Sequence, residues 1–435
     1  MTFGSPPVIG PSAVVDPPSV DRIRGCKFCA MKVLVFTTLY PNNVWPNHGV
    51  FIKERMTQFA KHEKCEIRVI APVPYFPAIN FNWRWQFSQV AAREMRDGVE
   101  VYHPRYLLTP KVGMALYGWL MFFSALPVVR KIRRNFDFDL IDSHYVYPDG
   151  FAAIQLGRFF KKPVVVSARG SDVNLYRTFP LIRKLLQHVL RNADAVIAVS
   201  RALKVSMVEL GLPGEKISDI SNGVDAEKFY PMSKDEARRQ LDLQCSRIIL
   251  SVGNLTVNKG FDLLIRALPM VAAKLDEKDV ELAIVGDGPL RKELQTLIST
   301  LKLDRRIRLV GAVPHGKLHL WYSAADVFCL ASEREGWPNV ILESLACGTP
   351  VVATAVGGIP EILSSETLGV LAERDEKKIA GAIFAALSRK WNSKELVAHA
   401  RNHSWDRSAA AVQGVFQSVL NSWKMRAACH RPIQA

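Results

Sequence analysis

Apolar and polar positions along the chain fall into two cycles of the same kind. In the first cycle the apolar runs are KVLVFTT from Lys32, IRVIAPVP from Ile67, LIDSHY from Leu140, PVVVSARGSD from Pro163 and AVIAVS from Ala195. Each run is continuous rather than alternating, which predicts strands buried on both faces. Between them lie stretches of helical period. Phe51–Ala60 is one, with Phe51, Ile52, Met56 and Phe59 near a single face. A second cycle starts at Arg247 with RIILSVGN, ELAIVGDG, IRLVGAV, DVFCLA and PVVAT. Alternation of this sort predicts an α/β protein of two doubly wound, Rossmann-like domains. The polar, Gly- and Pro-containing stretch NGVDAEKFYPMSKDEARRQLD reads as the linker, which sets the domains at 31–225 and 226–405. From Ser408 to Trp423, Val412, Val415, Phe416, Val419 and Trp423 give a last helix an apolar face to cover.

Residues 1–30 hold two Pro-Pro pairs and no apolar period, and are expected to be disordered. They show no apolar core preceded by basic charge, as a secretory signal would, and Met31 reads as the natural start. The run from Val112 to Val129 has no charge and is followed by Arg130, Lys131, Arg133 and Arg134. Its eighteen residues reach only the lower edge of spanning length. With Pro127 and two glycines inside it, it reads as a first-domain helix, either docked shallowly on anionic lipid or purely internal with a solvated basic end.

Length and charge sharpen this picture. The chain of 435 residues is too long for one core. Its net charge of +16 is uneven: residues 31–225 hold 26 Lys and Arg against 16 Asp and Glu. A basic first half calls for an acidic partner. No nucleic-acid motif is present, which leaves anionic lipid or a phosphorylated acceptor. The seven cysteines form no disulfide framework, and the lone Cys26-x-x-Cys29 lacks the second pair a zinc site needs. No G-x-G-x-x-G follows the first strand, which argues against a dinucleotide dehydrogenase.

The chemistry concentrates between Ala331 and Ile362, ASEREGWPNVILESLACGTPVVATAVGGIPEI. A buried strand ends at Ala331 and a polar loop runs from Ser332 to Gly336. Pro338 suits the first position of a helix, and Gly348 its left-handed cap. Glu335 stands in the loop and Glu343 inside the helix. Between them the helix start offers free N–H groups and a positive dipole end, a site for a diphosphate. A nucleotide sugar has the matching layout of sugar, diphosphate and ribose. The same two residues also read as a helix-start Glu and a solvated one.

The whole stretch resembles the E-x7-E segment of retaining GT-B glycosyltransferases of the family 4 type. TTLYPNNVWPNHGVFIKERM, VIAPVPYFP, DSHYVYPDG and SARGSD are similar to the teichuronic-acid and capsular-polysaccharide enzymes among them. The resemblance implies two Rossmann-like domains facing across a cleft, with residues 406–425 crossing back onto the first. It implies a hexosyltransferase of cell-surface polysaccharide synthesis that takes a UDP- or GDP-linked sugar and needs no metal or other cofactor. Its acceptor would be a glycan or a polyprenyl-diphosphate-linked glycan, reached from the cytoplasm at the inner face of the plasma membrane.

Residue by residue, Glu335 would hold sugar hydroxyls and Glu343 the ribose. The backbone of Gly336, Trp337, Pro338 and Asn339 would meet sugar and phosphate. Lys259 would face the diphosphate, but Asn254 stands where the family usually has an Arg. Arg169 stands where many relatives have a His and is the substitute cation; its other reading is an ion pair with Asp172. His144 would assist the acceptor or a sugar oxygen, so Glu335, His144, Arg169 and Lys259 form the expected catalytic set. Gly49, with His48 beside it, would line the donor or acceptor side, Gly286 the strand end, and Val313 with Pro314 the nucleobase. Two other readings stay open: a nucleotide-sugar epimerase on the same fold, and a non-catalytic nucleotide-sugar-binding protein, which Asn254 would permit.

Overall fold

The structure is a computed structural model and describes residues 31–63, 65–79, 83–108, 113–275 and 280–429. The expectations for residues 1–30, and for the start of the uncharged run at Val112, lie outside these residues.

Every predicted strand forms. The first cycle gives β1 (Lys32–Phe36), β2 (Glu66–Ile70), β3 (Val73–Pro74), β4 (Arg93–Arg96), β5 (Val99–Tyr102), β6 (Arg105–Tyr106), β7 (Leu140–His144), β8 (Val164–Ala168), β9 (Ala195–Ala198) and β10 (Ile217–Asp219). Eight of them make one sheet in the order β10-β9-β8-β7-β1-β2-β5-β4, while β3 pairs with β6 apart from it. The sheet is parallel except at its β4–β5 edge, which is antiparallel. In β1, Val33 and Val35 enter one core cluster and Leu34 and Phe36 another, so both faces are covered. That burial is why the run carries no polar alternation.

The second cycle gives β11 (Arg247–Val252), β12 (Val280–Val285), β13 (Ile307–Gly311), β14 (Val327–Leu330), β15 (Val351–Thr354) and β16 (Gly369–Ala372). Their order is β13-β12-β11-β14-β15-β16, all parallel. Strand order reverses between β1 and β7 in the first sheet and between β11 and β14 in the second. Open parallel sheets bind ligands at such reversals, beyond the carboxyl ends of the strands. Arg169, Lys259 and the loop before Glu335 all stand there.

Two segments connect the sheets and they pair with each other. Val224 forms a parallel bridge with Ser404, and Val224 N donates to His403 O at 2.8 Å. Gly223 is needed at this crossing: a Cβ there would stand 2.3 Å from Trp405 N. The helix Trp405–Cys429 then returns to the first sheet. Its Ala409, Val412, Phe416 and Val419 share a core with Ile52, Met56 and Phe59 of the helix Val50–Glu63. The Phe59 and Phe416 rings meet edge to face at 5.3 Å. A further tie joins the halves. Glu361 accepts from Arg201 N and Ala202 N, both at 2.9 Å, and so caps the helix Arg201–Glu209 from the other domain.

Candidate functional site

Between the two sheets lies a cleft of about 600 Å³. Gly49, Arg169, Asn254, Lys259, Glu335, Gly336, Trp337, Pro338, Asn339 and Glu343 all line it. Positions spread over almost three hundred residues of sequence therefore share one space.

The second domain supplies the carboxylates. The helix begins at Asn339 rather than Pro338, which keeps an extended backbone and serves as the cap position. Proline has no side-chain oxygen to offer there, and no side chain caps the helix start. Cys347 closes the helix and Gly348, at φ +78°, makes the left-handed turn after it. Glu343, inside the helix and buried, accepts from Tyr322 Oη at 2.9 Å and lies 3.1 Å from His315 Nε2. Burial alone would lower the His315 pKa, but the Glu343 charge and hydrogen bond outweigh it and hold the pKa above its usual value. Glu335 is tied differently: Lys259 Nζ lies 2.5 Å from its Oε1, and Ser332 Oγ donates to the same oxygen at 2.7 Å.

The loop carrying Glu335 is seated by close backbone approach. A Cβ on Gly336 would stand 2.0 Å from Arg169 O, and one on Gly357 1.9 Å from Glu335 O. Glycine is the residue that permits such contact. Through Gly336 and Arg169 the two domains meet on the cleft floor.

The first domain supplies Arg169. Asp172 does not pair with its guanidinium. It accepts instead from the backbone N–H of Arg169 at 3.0 Å, of Gly170 at 2.8 Å and of Val146 at 2.8 Å, and so fixes the turn after β8. The guanidinium donates from Nη1 to Asn222 Oδ1 at 3.0 Å and from Nη2 to His144 Nδ1. Asn222 Nδ2 in turn donates to Asn339 Oδ1 at 3.1 Å, across the domains. Gly49, at φ +65°, lies so near Leu39 that a Cβ would stand 2.3 Å from its carbonyl oxygen. Asp149 anchors the same loop by accepting from Thr38 N at 2.5 Å.

Four expected residues, His144, Gly286, Val313 and Pro314, do not line the cleft. His144 ends β7 with no exposure at all and lies behind Arg169. An acceptor or a sugar oxygen does not reach it there, which corrects its assignment to the chemistry. Gly286 packs under Gly253, whose carbonyl oxygen a Cβ would approach to 1.9 Å. Val313 packs half-buried against the core beside the cleft. Conversely, His315, Arg334 and Asn222 line the cleft and were not singled out from sequence. His315 directly follows Val313 and Pro314, so its strand-end position was a usable signal. Asn222 had none, since it was absorbed into the linker. Among the described residues no group of three His, Cys, Asp or Glu side chains is placed to hold a metal ion.

The architecture is shared with solved structures. Sucrose-phosphate synthase from Thermosynechococcus elongatus matches with a TM-score of 0.73 at 20% identity, over 90% of this chain and all of that one. Anabaena HepE in complex with UDP and glucose matches at 0.67 and 19%, over 89% of this chain and all of that one. The fold is therefore GT-B. Residues 90–228 match the model described as Glycosyltransferase Family 4, and residues 246–389 the model described as Glycosyl transferases group 1. An uncharacterised glycosyltransferase of Methanocaldococcus jannaschii is 32% identical over 411 residues, 90% of this chain and 99% of that one. The chain belongs to this glycosyltransferase family. The putative teichuronic acid biosynthesis glycosyltransferase TuaC of Bacillus subtilis is 29% identical over 361 residues, 81% of this chain and 88% of that one. The phosphatidylinositol N-acetylglucosaminyltransferase GPI3 subunit of Saccharomyces cerevisiae is 31% identical over 287 residues, 64% of this chain. The chain spans 61% of the length of that yeast relative.

Proposed function

We propose that this protein is a retaining hexosyltransferase that moves a sugar from a nucleoside diphosphate to a lipid-linked glycan acceptor in cell-surface polysaccharide synthesis. The observation that carries the reading is the pair Glu335 and Glu343, set either side of an uncapped helix start inside a cleft between two strand-order reversals. The start of Asn339–Ala346 receives the diphosphate, Glu343 the ribose and Glu335 the sugar hydroxyls. The bond from the sugar's anomeric carbon to the diphosphate breaks and its electron pair leaves with the diphosphate, while an acceptor hydroxyl oxygen bonds to that carbon and its proton passes to the leaving diphosphate. Lys259 and Arg169 place positive charge where that negative charge grows. UDP as the nucleotide is supported by HepE, solved with UDP and glucose. TuaC and the GPI3 subunit, by their names, support a cell-surface glycan or a lipid-borne acceptor.

The lipid end of the acceptor fits a surface on the first domain. The helix Tyr117–Arg133 buries Met121, Phe122, Ala125, Val129 and Ile132 against the core. Phe122 therefore belongs to the core, whereas Trp119 and Phe123 are 41% and 62% exposed and stack with centroids 6.0 Å apart. With the short turn before it, Met114–Arg133 is long and apolar enough to cross a membrane by length and composition, yet a third of it is buried inside the fold. Its exposed stripe and the exposed Arg130, Lys131, Arg133 and Arg134 suit shallow docking on anionic headgroups at the cytoplasmic face.

The test is a panel of UDP- and GDP-sugars scored by thermal shift, followed by transfer to a polyprenyl-diphosphate glycan read by mass spectrometry. A donor that binds raises Tm by mass action. A shift with transfer supports the proposal. A shift with no transfer to any acceptor would leave a nucleotide-sugar-binding protein, and no shift with any donor would sink both.

A further inference from the structure

The first-domain face under the helix Val50–Glu63 holds a buried polar cluster of which the proposed chemistry uses Arg169 alone. Arg55 comes from that helix, Asp142 and His144 from β7, and Ser167 and Arg169 from β8 or just after it. All five are at least nine-tenths buried. Burying two guanidinium groups, a carboxylate and an imidazole together is costly, and a core of ordinary apolar residues would avoid the cost. One member, Arg169, reaches the cleft, and one other, His144, meets its guanidinium from behind.

We propose that His144 and Asn222 are positioning residues for Arg169, and that Asp142 sets the tautomer of His144 that this requires. The inference rests on Arg169 acting on the leaving diphosphate. A guanidinium is a donor only, so His144 Nδ1, which faces Arg169 Nη2, must be an acceptor. The proton is then on Nε2, which lies 3.2 Å from Asp142 Oδ2, not aligned for a hydrogen bond but close enough for the carboxylate charge to favour a proton there. Only a neutral imidazole can accept. Burial keeps it neutral by pushing its pKa down to about 4, with Arg169 adding to the effect and Asp142 opposing it. Asp142 stays charged because His144, Arg55 and Arg169 outweigh the cost of its burial and hold its pKa low. At the other corner of the fork Asn222 accepts from Nη1. The Phe51 ring lies 5.6 Å from the guanidinium carbon. The fork is thus held at both terminal nitrogens.

Asn222 adds a second function. Its Oδ1 takes Arg169 while its Nδ2 reaches Asn339, the first residue of the helix that receives the donor. One amide therefore sets the distance between the first-domain cation and the second-domain phosphate site. Misplacement of a positioned group by an ångström costs about a hundredfold in rate. Effects of that size, without loss of donor binding, are what positioning predicts.

The experiment is a double-mutant cycle on the full chain. UDP release from UDP-glucose or UDP-N-acetylglucosamine, whichever turns over, gives kcat and KM. His144→Phe, which keeps the size and removes the acceptor, should lower kcat roughly 10- to 100-fold with KM nearly unchanged. His144→Asn, whose Oδ1 stands where Nδ1 stood, should restore most of it. Arg169→Met should lower kcat at least as far, and adding His144→Phe to it should cost nothing more. Asn222→Ala, alone and with Arg169→Met, repeats the cycle on the second strut and serves if His144→Phe does not fold. Additive losses in both cycles, or a near-normal kcat in His144→Phe beside an impaired Arg169→Met, would overturn the positioning role. A near-normal Arg169→Met would instead remove the reading of Arg169 on which it rests.

Discussion

Glu335 and Glu343 carry the same charge and are answered differently. Glu343 is held by a tyrosine hydroxyl and a histidine inside the fold, which fixes both oxygens of the carboxylate proposed to take the ribose. Glu335 is held by Lys259, the lysine proposed to meet the diphosphate. Glu343→Ala should therefore raise donor KM with kcat little changed, because ribose contacts act alike in ground and transition states. Glu335→Ala should mainly lower kcat. Equal and small effects in steady-state assays would make both carboxylates bystanders. Lys259→Ala should cost roughly 2–4 kcal/mol of transition-state stabilisation, the size lost with one preorganised donor. Since Asn254 brings no charge, Asn254→Arg should partly rescue Arg169→Met in the same assay, provided both face one phosphate. His315 gives a pH signature. Its pKa is raised in the folded chain, so its ion pair with Glu343 stabilises fully below the unfolded value of about 6.5. That contribution is lost as pH rises through the folded value. Urea unfolding should show wild type more stable than His315→Gln at pH 5.5, with the gap narrowing above pH 7.

At the scale of elements, the legible parts are those where one force dominates. β1, β7, β8, β11, β14 and β15 are buried on both faces, so their apolar runs announce them. The E-x7-E segment was legible for a second reason: the strand, loop and helix that carry the two carboxylates are contiguous. The β4–β5 hairpin passed unnoticed because REMR and VEVY lie at the sheet edge with polar residues interleaved. Its signal was the Asp97-Gly98 turn, where both φ values are positive, 47° and 81°. β16 is short and half-buried, and its four residues Gly369–Ala372 give no period to read. The burial of His144 was not legible, since a histidine at a strand end looks alike whether a helix covers it or not. The returning helix was legible from its apolar stripe, and its anchor can be weighed. Phe416 is fully buried against Phe59, and Phe416→Ala should destabilise by about 3–5 kcal/mol, seen as a lower urea midpoint.

The whole molecule divides its charge from its chemistry. The acidic pair sits in the second domain and the membrane-suited stripe in the first, whose residues 31–225 carry the larger net positive charge. Each of Arg130, Lys131, Arg133 and Arg134 near an anionic surface is worth about 1 kcal/mol, screened within a Debye length. Co-sedimentation with liposomes containing phosphatidylglycerol should therefore fall as salt rises and vanish when the four are neutralised. Indifference of the wild type to such liposomes at low salt would place the acceptor in solution.

The return of the last helix also sets an order of biosynthesis. The first sheet's core, with Ile52, Met56 and Phe59, is completed only by Ala409, Val412, Phe416 and Val419, close to the end of the chain. On a ribosome adding about 5–20 residues each second, that apolar face waits unsheathed for tens of seconds while the second domain is made. Of the two domains, the one made first is thus the second to mature. Nascent chains stalled before Trp405 should be the ones that recruit chaperones, and release of the finished chain should end that dependence.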